Sequence, residues 1–283
     1  MILVDYSAIS IGTVVASHAR TDENFLRHLI LNNIRSINLK HRAKYGEMVL
    51  CMDHRSWRKD AFPNYKFKRG EKRKQDTKND WTEIFAILNT LKAEFEQYLP
   101  YRIVHVDGAE GDDVIATLTE RTQEFGQFED VMIIAADKDY IQLQRYPNVK
   151  QWSTITKKMV KGNPTEWLHE AIVRGQAKDG IPNVKSDIDF FTQEGGRQKS
   201  ITAKFITESM DTSTMTPAEL ERYEQNAELI DFRNIPAPIR EAINNTYEQY
   251  ETPQFRGLMN YFIKKRCANL LDCINDFKPG TKQ

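Results

Sequence analysis

Cysteine is scarce in this sequence: Cys51, Cys267 and Cys273 are an odd number with no CxxC spacing. That pattern speaks against a disulfide framework and a thiolate zinc site, and it fits small apolar side chains in a reducing compartment. Long apolar runs are missing too. No stretch approaches the roughly 18 residues a membrane span needs, and no basic region precedes the apolar residues of "MILVDYSAIS". A cytoplasmic protein with no membrane partner is expected. Net charge is absent, because 40 Lys and Arg balance 40 Asp and Glu, so only the distribution of charge can point to a polyanionic partner. The six histidines are scattered, and His54 beside Asp53 reads as a neighbour rather than a base or ligand. No internal repeat is found, and nothing specifies an oligomer, so a monomer is expected.

What is present is a rhythm. Short β-branched runs at 1–5, 47–53, 101–107 and 130–137, with a weaker fifth at 149–153, alternate with segments whose apolar residues recur at three and four. Strands alternating with helices predict an α/β fold, a mostly parallel central sheet flanked by helices. Such strands are buried on both faces, which explains their continuous apolar character. After about residue 160 helical patterns take over, at 164–174, 200–209, 216–231, 236–250 and 255–277, with Pro164, Pro217 and Pro236 where first turns would begin. The division expected is a sheet domain over 1–160 and a helical half over 161–283. Residues 55–80 form a long connection without strand or helix pattern, and such connections are functional or disordered.

Ligands of an open parallel sheet bind beyond the carboxyl ends of its strands. Acids stand at those ends: Asp5 after the first run, Asp53 after the second, Asp137 and Asp139 after the fourth, and Glu110, Asp112 and Asp113 after the third. "GQAKDGI" at 175–181 adds Asp179. Taken singly, each reads as a turn former, a helix cap or a solvated helix face. Taken together, carboxylates in one crevice repel and raise one another's pKa values unless a cation neutralises them. All-oxygen ligation suits Mg²⁺ or Mn²⁺, and two such ions roughly 3.5–4 Å apart are a recurrent device for phosphodiester cleavage, one activating a water and the other supporting the leaving oxygen.

Residues 55–74 carry nine basic against two acidic side chains, a net charge of +7, with Trp57, Phe62, Tyr65 and Phe67 interleaved. Basic groups track phosphates while aromatics stack on unpaired bases. Arg58, Lys59, Tyr65, Lys68, Lys72 and Arg73 are the candidate nucleic-acid contacts. The alternative is a solvated loop whose aromatics pack on the body.

The ordered series "LVDYS", "VLCMDHR", "EGDDVI", "AADKDYIQL" and "GQAKDGIPNVKSD", with "ELIDFRNIP" and "GLMNYFIKKRCANLLDCINDF" behind it, resembles the metal-binding motifs and C-terminal segments of phage 5′-nucleases of the flap endonuclease family. The resemblance spans nearly all of residues 1–277. It implies that Asp5, Asp53, Glu110, Asp112, Asp113, Asp137 and Asp139 hold two divalent ions, with Asp179 on the second-ion side. "YKFKRG" is similar to a stretch of the arch over that family's active site, which implies that Lys66 and Arg69 steady the scissile phosphate. "KDGIPNVKSDIDFF" with "EGGRQKSITAKFI" resembles a helix-three-turn-helix that grips duplex backbone, implying Lys185, Arg197 and Lys199 as phosphate contacts. Three departures stand out. Gln176 replaces a usual acid and predicts a weaker second-ion site, Lys138 stands where Gly is common, and only Gly195–Gly196 remain of the glycine-rich half of the duplex-binding motif.

The expected activity is divalent-metal-dependent 5′ to 3′ hydrolysis of RNA–DNA and DNA–DNA duplexes with 5′ ends or flaps, serving primer removal in lagging-strand replication. The partners implied are those nucleic acids, with a single-strand-binding protein and a sliding clamp as helpers. Two rivals are a PIN-like endoribonuclease, which leaves the helical half and the basic arch unexplained, and a structure-specific DNA-binding protein with little or no catalysis.

Overall fold

The computed structural model describes residues 1–17, 21–126, 128–193 and 197–280. Its centre is a six-stranded sheet of β1 (Ile2–Asp5), β2 (Met48–Cys51), β3 (Arg102–Val104), β4 (Val131–Ile134), β5 (Val149–Trp152) and β6 (Met159–Val160). The order is β3-β2-β1-β4-β5-β6, with every neighbouring pair parallel except β5 and β6. From the central β1 the chain builds outward through β2 and β3, then returns to β4 on the other side. The direction of winding therefore reverses between β1 and β4, and the crevice of such a sheet opens at that point, beyond the carboxyl ends. Asp5 ends β1, and Asp137 follows β4.

Helices form where the sequence supplies caps. The Asp5 carboxylate accepts the Ala8 N–H at the start of α1 (Tyr6–Ala16), and Asp22 caps α2 (Glu23–Tyr45). The segment expected to be structureless carries two short helices, α3 (Arg58–Ala61) and α4 (Phe67–Gln75), before α5 (Trp81–Tyr98), which Asp80 caps. The second of them is densely charged and buries no side chain, so it has no apolar stripe to read in the sequence. A capping box between Glu110 and Asp113 opens α6 (Gly111–Arg121), and Asn163 with Pro164 starts α7 (Pro164–Arg174). Then come α8 (Ala203–Glu208), α9 (Pro217–Ile230), α10 (Ala237–Gln249), α11 (Phe255–Lys264) and α12 (Ala268–Leu271). The single helix expected over 255–277 is broken, with Arg266 in the left-handed region at φ 56° between α11 and α12. No described helix is long and apolar enough to cross a membrane.

Side chains alternate across the sheet. Ile2, Val4, Leu50 and Ile134 join a core with α2, α5 and the C-terminal residues Leu258, Phe262, Leu270 and Phe277. Leu3, Val49 and Ile133 join the opposite core with α6 and with Phe232, Ile235 and Ile243. Each such side chain contributes about 1.5–3 kcal/mol of burial. The boundary expected near residue 160 therefore does not separate two cores: residues 232–277 close both faces of the sheet. Amphipathic stripes announce helices, but they do not announce the surface a helix will cover.

Candidate metal centre and nucleic-acid interface

At the carboxyl edge the acids divide into two groups by what faces them. Asp5, Asp53 and Asp112 form the first, and none is ion-paired to Lys or Arg among the described residues. Asp5 takes the Ala8 N–H at 2.9 Å, and Asp53 takes the Gly111 N–H at 2.6 Å. A Cβ on Gly111 would lie 3.2 Å from Asp53 Oδ1, so the glycine allows this close approach. The fully buried Tyr140 donates its hydroxyl to Asp112 and lies 3.4 Å from Asp5. Burial and then the Asp53 and Asp137 charges push Asp5 up to about 7. Burial and the Asp5 charge likewise raise Asp112 well above the carboxylate range.

The second group consists of Asp137, Asp139 and Asp179, and each member has a partner. Lys178 Nζ lies 2.6 Å from Asp137 Oδ2 and 3.4 Å from Asp139 Oδ2. Gln176 Nε2 donates to Asp139 Oδ1 at 2.9 Å, and Arg69 reaches Asp179 at 2.5 Å. Burial works to raise Asp137, but Lys178 outweighs it and holds the carboxyl below its usual range. Asp139 is pushed up to about 6 by burial and by the Asp137 charge, against Lys178.

Glu110 is the hinge between the groups and the basic segment. It accepts from Ser56 Oγ at 2.7 Å, Tyr65 OH at 2.9 Å and Lys66 Nζ at 2.5 Å. Burial opposes its ionisation, yet Lys66 and Arg58 hold its pKa below the usual value. Lys66 is in the left-handed region at φ 56°, just before α4.

Three expectations change. Asp113, read as a metal ligand, is fully buried; it faces Arg58 Nη2 at 2.9 Å and accepts the Glu110 N–H at 2.9 Å, so it serves the helix cap and the Arg58 pair. Arg58, read as a phosphate contact, is 3% exposed and spans Asp113, Glu110 and the Leu229 carbonyl. Tyr65, read as a base-stacking residue, is 5% exposed with its hydroxyl on Glu110. A basic, aromatic composition does not reveal which of its members turn inward to neutralise buried acids.

Lys59, Lys72 and Arg73 are exposed, whereas Lys68 is partly buried, 4.9 Å from the Phe191 ring centroid, and Arg73 lies 4.7 Å over Phe85. Lys59 and Arg73, with Lys66 and Arg69, border a cavity of about 570 Å³ that also touches Asp53, Lys92 and Glu110. Of the duplex-contact candidates, Arg197 and Lys199 are exposed, while Lys185 sits 3.8 Å from Glu219 and 3.7 Å over the Phe205 ring. Gly195–Gly196 lie outside the described residues. Sequence reasoning missed Tyr140, Ser56 and Lys178. Tyr140 and Lys178 sit inside motifs already singled out, each directly beside an acid.

Residues 13–172 match the family model described as the 5′–3′ exonuclease N-terminal resolvase-like domain, and residues 163–277 match the model described as the C-terminal domain of T4 RNase H. A ribonuclease H of Enterobacteria phage T4 is 34% identical over 97% of this chain and 95% of its own length. A flap endonuclease of Shewanella is 34% identical over 40% of this chain and 38% of its own. The fold is that of the phage T5 D15 protein co-crystallised with metal ions, with a TM-score of 0.61 at 17% identity over 88% of this chain and 97% of that one. A T5 D15 flap endonuclease complex with DNA and metal ions gives 0.62 at 16% identity over the same shares. Two family matches that together run from residue 13 to 277, and a relative aligned nearly end to end, establish that the chain belongs to the 5′–3′ exonuclease family of hydrolytic phosphodiesterases.

Proposed function

We propose that this nuclease acts on RNA–DNA and DNA–DNA duplexes bearing 5′ ends or flaps, cutting with Mg²⁺ or Mn²⁺ held at Asp5, Asp53 and Asp112, and that it removes RNA primers during lagging-strand replication. The observation that carries this reading is the contrast between these three acids, which lack a cationic partner among the described residues, and their neighbours, which all have one. A hard divalent ion suits such an all-oxygen set. Among the described residues no three acidic, His or Cys side chains are gathered closely enough to close around an ion alone. Mg²⁺ does not need that, since it usually keeps several of its waters.

When bound, the ion supplies Lewis-acid stabilisation of the phosphate and activation of water. This chain's residues do the rest. Tyr140 orients Asp5 and Asp112. Lys66 and Arg69 are the groups assigned to the scissile phosphate; their present carboxylate contacts hold them at the crevice until a phosphate competes for them. Lys59, Lys72 and Arg73 lie along the approach and serve the single-stranded or flanking backbone, while Arg197 and Lys199 serve the duplex. The phage source of the relative supports work in a host cytoplasm; a monomer with a single-strand-binding protein and a sliding clamp as helpers is part of the same proposal.

The test is cleavage of a 5′-labelled RNA–DNA hybrid and a 5′-flap DNA, in Mg²⁺ or EDTA, by wild type and Asp5→Asn. Mg²⁺-dependent products that vanish in the variant place the chemistry at the first group, and the product ladder separates flap cutting from stepwise degradation. Binding of both substrates with no cleavage by the wild type would favour a structure-specific binding protein instead.

A further inference from the structure

We propose that the Lys178 ammonium is the resident cation of the second acidic group, standing between Asp137 and Asp139 where a two-ion arrangement would have its second divalent ion. This rests on the metal-dependent reading above, and it changes the number of ions expected. The second group does not fit a divalent ion in the way the first does. Lys178 Nζ lies within 3.4 Å of both Asp137 and Asp139, and Arg69 holds Asp179. Two cations thus pair with three carboxylates, whereas among the described residues no Lys or Arg comes within ion-pair distance of the three of the first group. Gln176 adds to this, since its amide presents an N–H to Asp139 Oδ1 at 2.9 Å. That oxygen is occupied by a donor on the side from which a carboxylate ligand would have joined it around an ion.

The backbone that carries Lys178 is held in place beside the two acids. Gln176 and Ile181 exchange backbone hydrogen bonds, Gln176 N–H to Ile181 O at 2.9 Å and the reverse at 3.1 Å. The turn Ala177–Asp179 between them closes on Gly180 at φ +79°, and a Cβ there would meet the Asn64 carbonyl oxygen at 2.8 Å. The loop is therefore pressed against the base of the arch, which fixes where the Lys178 stem begins. A lysine so placed offers fixed positive charge beside the crevice, with no dependence on ion concentration, and repels a second dication by the same charge.

Ion binding decides the matter without relying on cleavage. Mn²⁺ is titrated into the full-length protein and followed by electron paramagnetic resonance and calorimetry, for wild type, Lys178→Met, Lys178→Arg and Lys138→Met. Wild type is expected to bind one ion tightly, and Lys178→Met to gain a second site at least about tenfold tighter than any second site of the wild type. Lys178→Arg keeps the charge and the wild-type count, and Lys138→Met, at an exposed neighbouring lysine, leaves both unchanged. Two ions of comparable affinity in the wild type, or no tighter second site in Lys178→Met that retains wild-type circular dichroism, would overturn the proposal. Loss of Mg²⁺-dependent cleavage in the wild type would instead strike the function proposed above, and the Mn²⁺ count would still be read.

Discussion

Lys66 donates its backbone N–H to the carbonyl oxygen of Asp179 at 2.8 Å, while its side chain reaches back to Glu110. One residue thus joins the arch to the loop of the second acidic group and to the cap of α6. Its left-handed backbone costs about 1–3 kcal/mol, a strain that persists because these contacts over-determine it.

The pair of Arg58 with Asp113 is the most deeply buried ion pair at the crevice, with side chains 3% and 0% exposed. Arg58→Met leaves the buried Asp113 carboxylate without its cation and is expected to lower stability by about 3–5 kcal/mol, whereas Lys59→Met, exposed one position away, changes it by less than about 0.5 kcal/mol. Urea unfolding of both variants checks this. Similar losses for the two would mean that the Arg58 pair is not what secures the base of the arch.

Asp5→Asn keeps a good helix N-cap and removes one charge from the unneutralised group. In EDTA near pH 7.5 the variant is expected to be more stable than wild type by on the order of 1 kcal/mol, because a carboxyl raised to about 7 in the fold loses stability as pH climbs from its unfolded value through 7. Thermal melts in EDTA and in excess Mg²⁺ test it. The wild type should gain from Mg²⁺ and the variant should not.

His41 lies against Tyr45 and Trp152 with Lys40 adjacent, and burial followed by the Lys40 charge lowers its pKa to about 4. Its neutral form is what the fold accommodates. The stability it contributes is complete above about pH 6.5 and drains away as pH falls toward 4, where the unfolded chain binds the proton first. His41→Phe should flatten that part of a urea-midpoint profile. Parallel profiles for variant and wild type between pH 7 and 4.5 would refute this.

The exposed cations of the arch should report through salt. Lys59→Ala and Lys72→Ala are each expected to reduce the slope of log affinity against log salt by roughly 0.9 on duplex or 0.7 on single-stranded substrate. Fluorescence anisotropy in Ca²⁺ or EDTA measures it, and Arg58→Met, whose guanidinium is internal, should leave the slope unchanged.

The five parallel strands and the strand-end acids were legible because buried strands read as apolar runs and because acids after four of them are conspicuous. The winding reversal that brings Asp5 to Asp137 was not, since strand order is a matter of tertiary pairing. Antiparallel β6 has only two residues and no pattern to detect. Arg58 and Tyr65 misled for a physical reason: a charge that will be buried against Asp113 and Glu110 looks, in sequence, like one that will face solvent. Lys178 lies between Gln176 and Asp179 in the sequence, where nothing in its neighbours along the chain says that it will turn toward Asp137 and Asp139.

Phe262, Leu270 and Phe277 seal one face of the sheet, and Tyr101 OH and Asn38 Nδ2 clasp the carbonyls of Phe277 and Asp276 at 2.8 and 2.7 Å. These residues are translated after every acid of the crevice. While they remain within the ribosome, the nascent chain already displays its carboxylates but lacks one wall of the layer that holds β1 and β2 in register. Losing that wall is therefore expected to loosen the sheet edge on which the acids stand without removing a single acid.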